Sequence, residues 1–211
     1  MNVTEYQFDR AKPFYPLIMS YLVQIHGIKY MAFRGNVVKI RMEGIFDRGI
    51  SDIVTLASTA VDEAQVDALR AGINKLLGPI ELRSEFLNKY IEADIDTICK
   101  ELSDNFPYIL SYYFRAAGSL LMLAYQMAEP TELNDKGPLW EFLRHCRNAV
   151  AHNGLFHLLG KEPIRDAGWG IFRIEKSLHN TPLFKNTQGE GMLSPGDPIR
   201  LLWDLERSNV L

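Results

Sequence analysis

The chain has 211 residues, with 23 lysines and arginines against 26 aspartates and glutamates and a formal net charge of −3 at pH 7. An apolar fraction of 47% and a charged fraction of 23% are typical of a globular protein and exclude a mainly disordered chain. A sequence pI of about 6.0 excludes a protein that coats nucleic acid nonspecifically, because such binding needs excess lysine and arginine. A small local phosphate site is compatible with this balance.

The two cysteines, Cys99 and Cys146, lie far apart and form neither a CxxC pair nor a Cys/His finger. This spacing excludes a disulfide scaffold or zinc ribbon and predicts two buried, reduced thiols. We expect no metal and no cofactor, because no other ligand set has convincing spacing on one face.

The most apolar stretch, residues 17–33, is interrupted by polar and charged side chains, and the chain begins with acidic residues rather than a basic segment. This pattern predicts a core helix instead of a membrane span or an export signal. We therefore expect a soluble, cytoplasmic protein that does not bind membranes.

Helical periodicity dominates the chain up to about residue 159. Residues 29–42 fit either a hairpin around Gly35-Asn36 or a kinked helix, and the helical interpretation is favoured. A break is expected at residues 105–107, and a polar loop before Pro138. The predicted helices of this part cover residues 13–25, 51–60, 62–77, 79–102, 108–128 and 139–153. Small residues around Gly118 predict close packing of the helix over 108–128 against a neighbour.

Beyond residue 159 the pattern becomes irregular. Residues 168–174 alternate like a short strand, and Asp197-Pro198 begins a last helix as N-cap and first helical residue. This part has too few apolar residues for a core of its own. We expect a mostly α fold, with a helical domain of residues 1–159 and a C-terminal extension of residues 160–211 packed on it as a lid or support.

The helix predicted over residues 139–153 carries the residues with chemical potential. On a helical wheel, one face is apolar and comprises Leu139, Phe142, Leu143, Cys146, Ala149 and Val150. The opposite face is polar and comprises Glu141, Arg144, His145, Asn148 and His152, with Arg147 at its margin. Arginines, histidines and an asparagine near one helix end can hold a phosphate and transfer protons. Gly154 is expected to end the helix, with Asn153 as its C-cap.

The stretch Arg147-Asn148-Ala149-Val150-Ala151-His152-Asn153-Gly154 resembles the signature of the HEPN superfamily (higher eukaryotes and prokaryotes nucleotide-binding domains). That signature is an arginine, usually followed by a polar residue, and then a histidine near the end of a core helix. Many members are metal-independent ribonucleases whose helical domains dimerise, so that two motifs line one cleft. The resemblance implies that His152 transfers protons, Arg147 contacts the scissile phosphate and Asn148 orders the site.

The resemblance also implies partners. It implies an RNA substrate, a homodimer with a composite active site, and a role as a toxin or defence effector, with an antitoxin of nucleotidyltransferase type as a possible partner. Arg144 and His145 are expected on a solvated flank of the helix, where they and Asn153 are secondary candidates for RNA contacts.

The chemistry can also be argued without the family. Cleavage of RNA by its own 2′-hydroxyl needs a base that works near neutrality and a cation on the phosphate oxygens, which a histidine and an arginine supply. Arg147 and His152 are five residues apart and diverge by roughly 140° around a helix. Two such helices across a twofold axis would present both residue types to one groove. The geometry therefore favours a dimer.

Simpler interpretations stay open at this level. His152 can cap the end of its helix, and Arg147 can pair with Glu141 or Glu162. Arg173 and His179 form a second match to the spacing between the arginine and the histidine of the signature. His26, His157 and His179 are expected to be ordinary residues. A non-catalytic module that binds RNA, a nucleotide or a protein is the alternative function, and a purely structural dimer is the third.

The charge around the motif differs from that of the whole chain. Residues 139–165 contain four lysines and arginines against two glutamates, so 4 − 2 leaves a local charge of +2 in an acidic protein. We expect a focused phosphate site with weak nonspecific binding to nucleic acid.

Overall fold

The computed structural model describes residues 9–42, 80–86, 88–93, 95–104 and 106–208. The helices predicted over residues 51–60 and 62–77 lie outside the described residues.

Helices dominate the part of the chain that is described. They are α1 (Tyr15–Met42), α2 (Ile95–Asp104), α3 (Phe106–Ala128), α4 (Pro138–Ala151) and α5 (Asp197–Ser208). The strands are β1 (Ile80–Ser84), β2 (Lys89–Ala93), β3 (Gly168–Trp169) and β4 (Phe172–Arg173), which form two antiparallel hairpins. The prediction of a mostly α fold is confirmed. No described helix has the length and apolar character needed to cross a membrane.

Several predicted elements agree with these bounds. The ambiguous residues 29–42 continue α1, so the helical interpretation is confirmed. In agreement with the break expected at residues 105–107, α2 ends at Asp104 and α3 is a separate helix from Phe106 to Ala128, before Glu129-Pro130. The strand predicted over residues 168–174 is a small hairpin, in which Gly168 pairs with Arg173.

The long helix predicted over residues 79–102 is wrong. Its first part is the β1–β2 hairpin, in which Ile80 pairs with Ala93 and Ser84 with Lys89. Phe86 is 97% exposed at the hairpin turn. The first four residues of β1 alternate between apolar and polar, which is strand periodicity. In the turn, Asn88 has a φ of 50°, a left-handed conformation that asparagine tolerates.

Internal contacts divide the chain into two compact units. The described residues of the first unit are 9–26 and 110–208, and those of the second lie between 27 and 109. The division does not fall at the expected boundary after residue 159. Residues 160–208 contribute to the core of the first unit through Ala167, Ile174, Leu183, Leu193, Leu201, Leu202 and Leu205.

The C-terminal helix α5 is tied to the start of the chain. The backbone N–H of Phe14 donates to Glu206 Oε1 at 2.8 Å, and the Tyr21 hydroxyl donates to the carbonyl of Pro195 at 2.6 Å. Burial raises the pKa of Glu206 despite that backbone hydrogen bond. The C-terminal extension is thus a structural part of the first unit.

Helices α3 and α4 approach each other closely at Gly118. A Cβ atom built on Gly118 would lie 3.0 Å from Cγ1 of Val150 on α4. Ala117, Leu121 and Ala124 on α3 are fully buried. The small-residue face predicted from the sequence is therefore confirmed, and it sets α4 directly against α3.

Replacing Gly118 with leucine tests this contact. The larger side chain must displace Val150 in a packed core, so we expect a loss of about 1–3 kcal/mol in the free energy of unfolding. Ser119→Leu is the matched control, because Ser119 is the next residue of the same helix and is exposed. That change should alter stability by no more than about 0.5 kcal/mol. Equal effects in urea denaturation would contradict the close approach.

Candidate functional site

Helix α4 places the motif residues at its C-terminal end. The helix begins with Pro138 after the extended residue Gly137 and ends at Ala151, so His152 is the C-cap. Asn153 and Gly154 have φ values of 59° and 79°. The N–H of Gly154 donates to the carbonyl of Ala149 at 2.9 Å, the longer hydrogen bond of a Schellman motif.

The end of α4 therefore corrects the predicted bounds. The helix stops two residues before Asn153, and Asn153 rather than Gly154 is the first residue with left-handed backbone. Asparagine tolerates this conformation better than most side chains. His152 is therefore the last residue before the left-handed turn, and its side chain is exposed.

The apolar face of α4 is buried as predicted, but part of the polar face is buried too. Glu141 is 1% exposed and His145 is 2% exposed. Glu141 accepts hydrogen bonds from Arg144 Nε at 2.7 Å and from Arg165 Nη1 at 2.8 Å. Arg144 Nη2 also donates to Glu162 Oε2 at 3.2 Å and lies 3.0 Å from His145 Nε2. We call these five residues the Glu141 network.

The charges of the network determine its protonation. Burial alone would raise the pKa of Glu141, but the hydrogen bonds from Arg144 and Arg165 lower it below its ordinary value. Burial would likewise lower the pKa of Arg144, yet Glu141 and Glu162 raise it. Burial, followed by the positive charge of Arg144, lowers the pKa of His145. The network thus favours the charged forms of Glu141 and Arg144 and the neutral form of His145.

The expectation that Arg144 and His145 lie on a solvated flank is wrong. The segment after α4 brings Glu162 and Arg165 to this face of the helix, and both residues then pair with it. A helical wheel identifies a polar face, but it does not show which later segment covers it. Arg144 and His145 take part in the Glu141 network, and their role as secondary candidates for RNA contacts stays a prediction.

Arg147 has a different environment. Its Nη1 donates to Asn148 Oδ1 at 3.1 Å, and its guanidinium carbon lies 5.4 Å from the centroid of the Tyr125 ring. Among the described residues it pairs with no carboxylate, and its buried Nε has no hydrogen-bond partner. The alternative of a salt bridge from Arg147 to Glu141 or Glu162 is therefore not observed. Arg144 makes those contacts instead.

Tyr125 and Trp140 support the Arg147 side chain. The two rings stack with centroids 5.0 Å apart, and Trp140 is buried. Tyr125 is partly buried and packs against the core. An arginine over an aromatic face keeps its charge and its remaining donors for another partner.

His152 takes part in a histidine cluster. Its ring stacks on that of His157, with centroids 4.1 Å apart and planes inclined by 16°. The ring of His179 lies 5.8 Å from that of His157. The sequence predicts no role for His157 and His179. The two residues are close because residues 154–158 pair with residues 179–183. No short-range pattern signals such a pairing.

Within one chain the two principal candidates are separate. Arg147 contacts Tyr125 on α3, whereas His152 contacts His157 in the segment after α4. In the described parts of the chain, no hydrogen bond or ring contact joins Arg147 to His152. Asn148 is hydrogen-bonded to Arg147. Asn153 directly follows His152 in the chain and is exposed.

A groove of about 1080 Å³ adjoins the end of α4. Asn153, Gly154 and Leu155 line one side of it, and α3 lines the other. Leu123 and Leu155 are large apolar residues that are exposed there. Of the predicted site residues, Asn153 is the one that lines this groove.

Among the described residues, no group of three or more histidine, cysteine or acidic side chains is arranged to hold a metal ion. Both cysteines are buried, as predicted, and lie outside any disulfide bond, and burial raises the pKa of Cys146. Comparison of the chain with protein-family models, curated proteins and solved structures gives no match.

The lowered pKa of His145 predicts a pH dependence of stability. In the unfolded chain His145 has the ordinary histidine pKa of about 6.5. In the folded chain its pKa is lower, so the folded chain binds this proton less readily. The free energy of unfolding should therefore fall as pH decreases through this range. His145→Gln removes this titration, so its curve should fall less between about pH 8 and pH 5 when measured by urea denaturation. Parallel curves for both proteins would contradict a buried, neutral His145.

Proposed function

We propose that the chain is a metal-independent endoribonuclease of HEPN type, in which Arg147, Asn148 and His152 act on RNA. The observation that carries this proposal is the contrast along α4. Arg144 is neutralised by two glutamates, while Arg147 contacts Asn148 and Tyr125 and pairs with no carboxylate of the described residues, and His152 is exposed. An arginine without a carboxylate and an accessible imidazole are the groups that phosphodiester cleavage needs.

The local charge supports a single focused phosphate contact. Arg144 and Arg165 are neutralised by Glu141 and Glu162. Of the four cations counted between residues 139 and 165, Arg147 and the exposed Lys161 have no carboxylate partner among the described residues. Of these two cations, Arg147 belongs to the motif.

Each motif residue has a defined task in the reaction. His152 takes or gives a proton at the reacting oxygens. Arg147 stabilises the negative charge that builds on the phosphate as the 2′-hydroxyl attacks. Asn148 accepts a hydrogen bond from the guanidinium of Arg147 and limits its rotation. Because this route uses the substrate's own 2′-hydroxyl, it needs no metal-activated water.

A homodimer completes the site in this proposal. Arg147 and His152 have separate surroundings in one chain, so a second copy facing the first would bring an arginine of one to the histidines of the other. The groove beside Asn153, with Leu123 and Leu155 exposed, offers apolar surface next to the motif for such packing. A role as a toxin or defence effector, held in check by an antitoxin of nucleotidyltransferase type, is part of the same proposal and follows from the resemblance alone.

Incubation with RNA in the presence of EDTA tests the proposal. We expect the wild type to cleave, and Arg147→Ala and His152→Ala to lose activity by about 10²- to 10⁴-fold, the usual range for a proton-transfer or charge-stabilising group. Arg173→Ala and His26→Ala are matched controls and should cleave normally. Both are exposed, and Arg173 belongs to the second match to the bare spacing.

Three outcomes would contradict the proposal: cleavage abolished by EDTA, equal cleavage by all variants, and no cleavage of any RNA class. RNA binding without cleavage would instead favour the non-catalytic module.

A further inference from the structure

The site holds a second accessible histidine that the proposed function does not use. His157 is exposed and stacks on His152, with ring centroids 4.1 Å apart and planes inclined by 16°. Neither ring is engaged in an ion pair in the described chain. Two solvent-exposed imidazole rings in contact can both interact with the same bound group.

The backbone that carries His157 is firmly held. Phe156 exchanges two backbone hydrogen bonds with residues 180 and 181, at 2.8 Å and 3.0 Å. The N–H of Leu158 donates to Nδ1 of His179 at 3.2 Å. Phe156 and Leu158, on either side of His157, are buried. His157 is thus an exposed side chain on an anchored segment, and its position over His152 is built into the fold.

Cleavage of RNA through its 2′-hydroxyl needs two proton transfers. The 2′-oxygen loses a proton as its bond to phosphorus forms, and the 5′-oxygen gains one as its bond to phosphorus breaks. The products are a 2′,3′-cyclic phosphate and a 5′-hydroxyl, and protons balance when one group acts as base and another as acid. One histidine meets only half of this requirement at a time.

We propose that His157 is the second proton-transfer residue of the site and that the His152–His157 pair supplies the base and the acid together. This inference rests on the proposed ribonuclease function. In-line phosphoryl transfer places the attacking and leaving oxygens on opposite sides of phosphorus. Two nearly parallel, stacked rings can therefore each exchange a proton with one of the two oxygens. Near neutrality histidine is available in both protonation states.

An RNA with sulfur in place of the bridging 5′-oxygen at one linkage tests the pair. A thiolate leaves without protonation, so loss of the acid no longer slows cleavage, whereas loss of the base still does. On ordinary RNA with EDTA, we expect His157→Ala and His152→Ala each to lose about 10²- to 10⁴-fold in rate. On the sulfur substrate, one of the two variants should recover nearly the wild-type rate and the other should not. His26→Ala is the control and should match wild type on both substrates.

Other patterns separate the two proposals. If the wild type and His157→Ala cleave ordinary RNA equally, or if both or neither of the two variants recover on the sulfur substrate, the pair is not the acid and base. The ribonuclease proposal then stands on His152 and Arg147. If the wild type cleaves no RNA, both proposals fall.

Discussion

The buried carboxylate of Glu141 is the constraint on which the arrangement of α4 depends. A carboxylate with 1% exposure is tolerated only when charged partners surround it. Arg144 and Arg165 fill that need from the same helix and from the following segment. The network therefore fastens that segment onto α4 and neutralises two nearby arginines, whereas Arg147 pairs with no carboxylate of the described residues. One side of α4 thereby serves stability, and the proposed site lies at its C-terminal end.

Local patterns predict the parts of this molecule that local forces determine. The apolar face of α4, the small-residue face around Gly118 and the helical conformation of residues 29–42 follow from helical periodicity. The continuity of α1 across residues 26–28 does not, because the pattern predicts a first helix that ends at residue 25. Periodicity does not predict the β1–β2 hairpin, because Leu82, Phe86 and Tyr90 recur at helical spacing, while the alternation within β1 covers only its first four residues. Short segments of this kind fit both the helical and the strand period, and pairing with a second strand decides which structure forms.

The contacts that shape the candidate site are long-range, and periodicity does not report them. Burial of His145 depends on Glu162 and Arg165, which lie beyond the end of α4. The histidine cluster depends on pairing between residues 154–158 and 179–183. Arg147, Asn148 and His152 were selected from the sequence as candidates. Their surroundings are not visible in the sequence: among the described residues Arg147 pairs with no carboxylate, and the ring of His157 stacks on that of His152.

The central claim is that the end of α4 is a ribonuclease site that two copies of the chain complete, and subunit mixing tests it directly. Arg147→Ala and His152→Ala, each inactive alone, are mixed under conditions that allow exchange, and RNA cleavage is measured with EDTA. A hybrid dimer has one site with both residues intact, so random exchange should restore about a quarter of wild-type activity. A mixture that exchanges subunits, as shown with a tagged copy, yet stays as inactive as either variant would contradict the account.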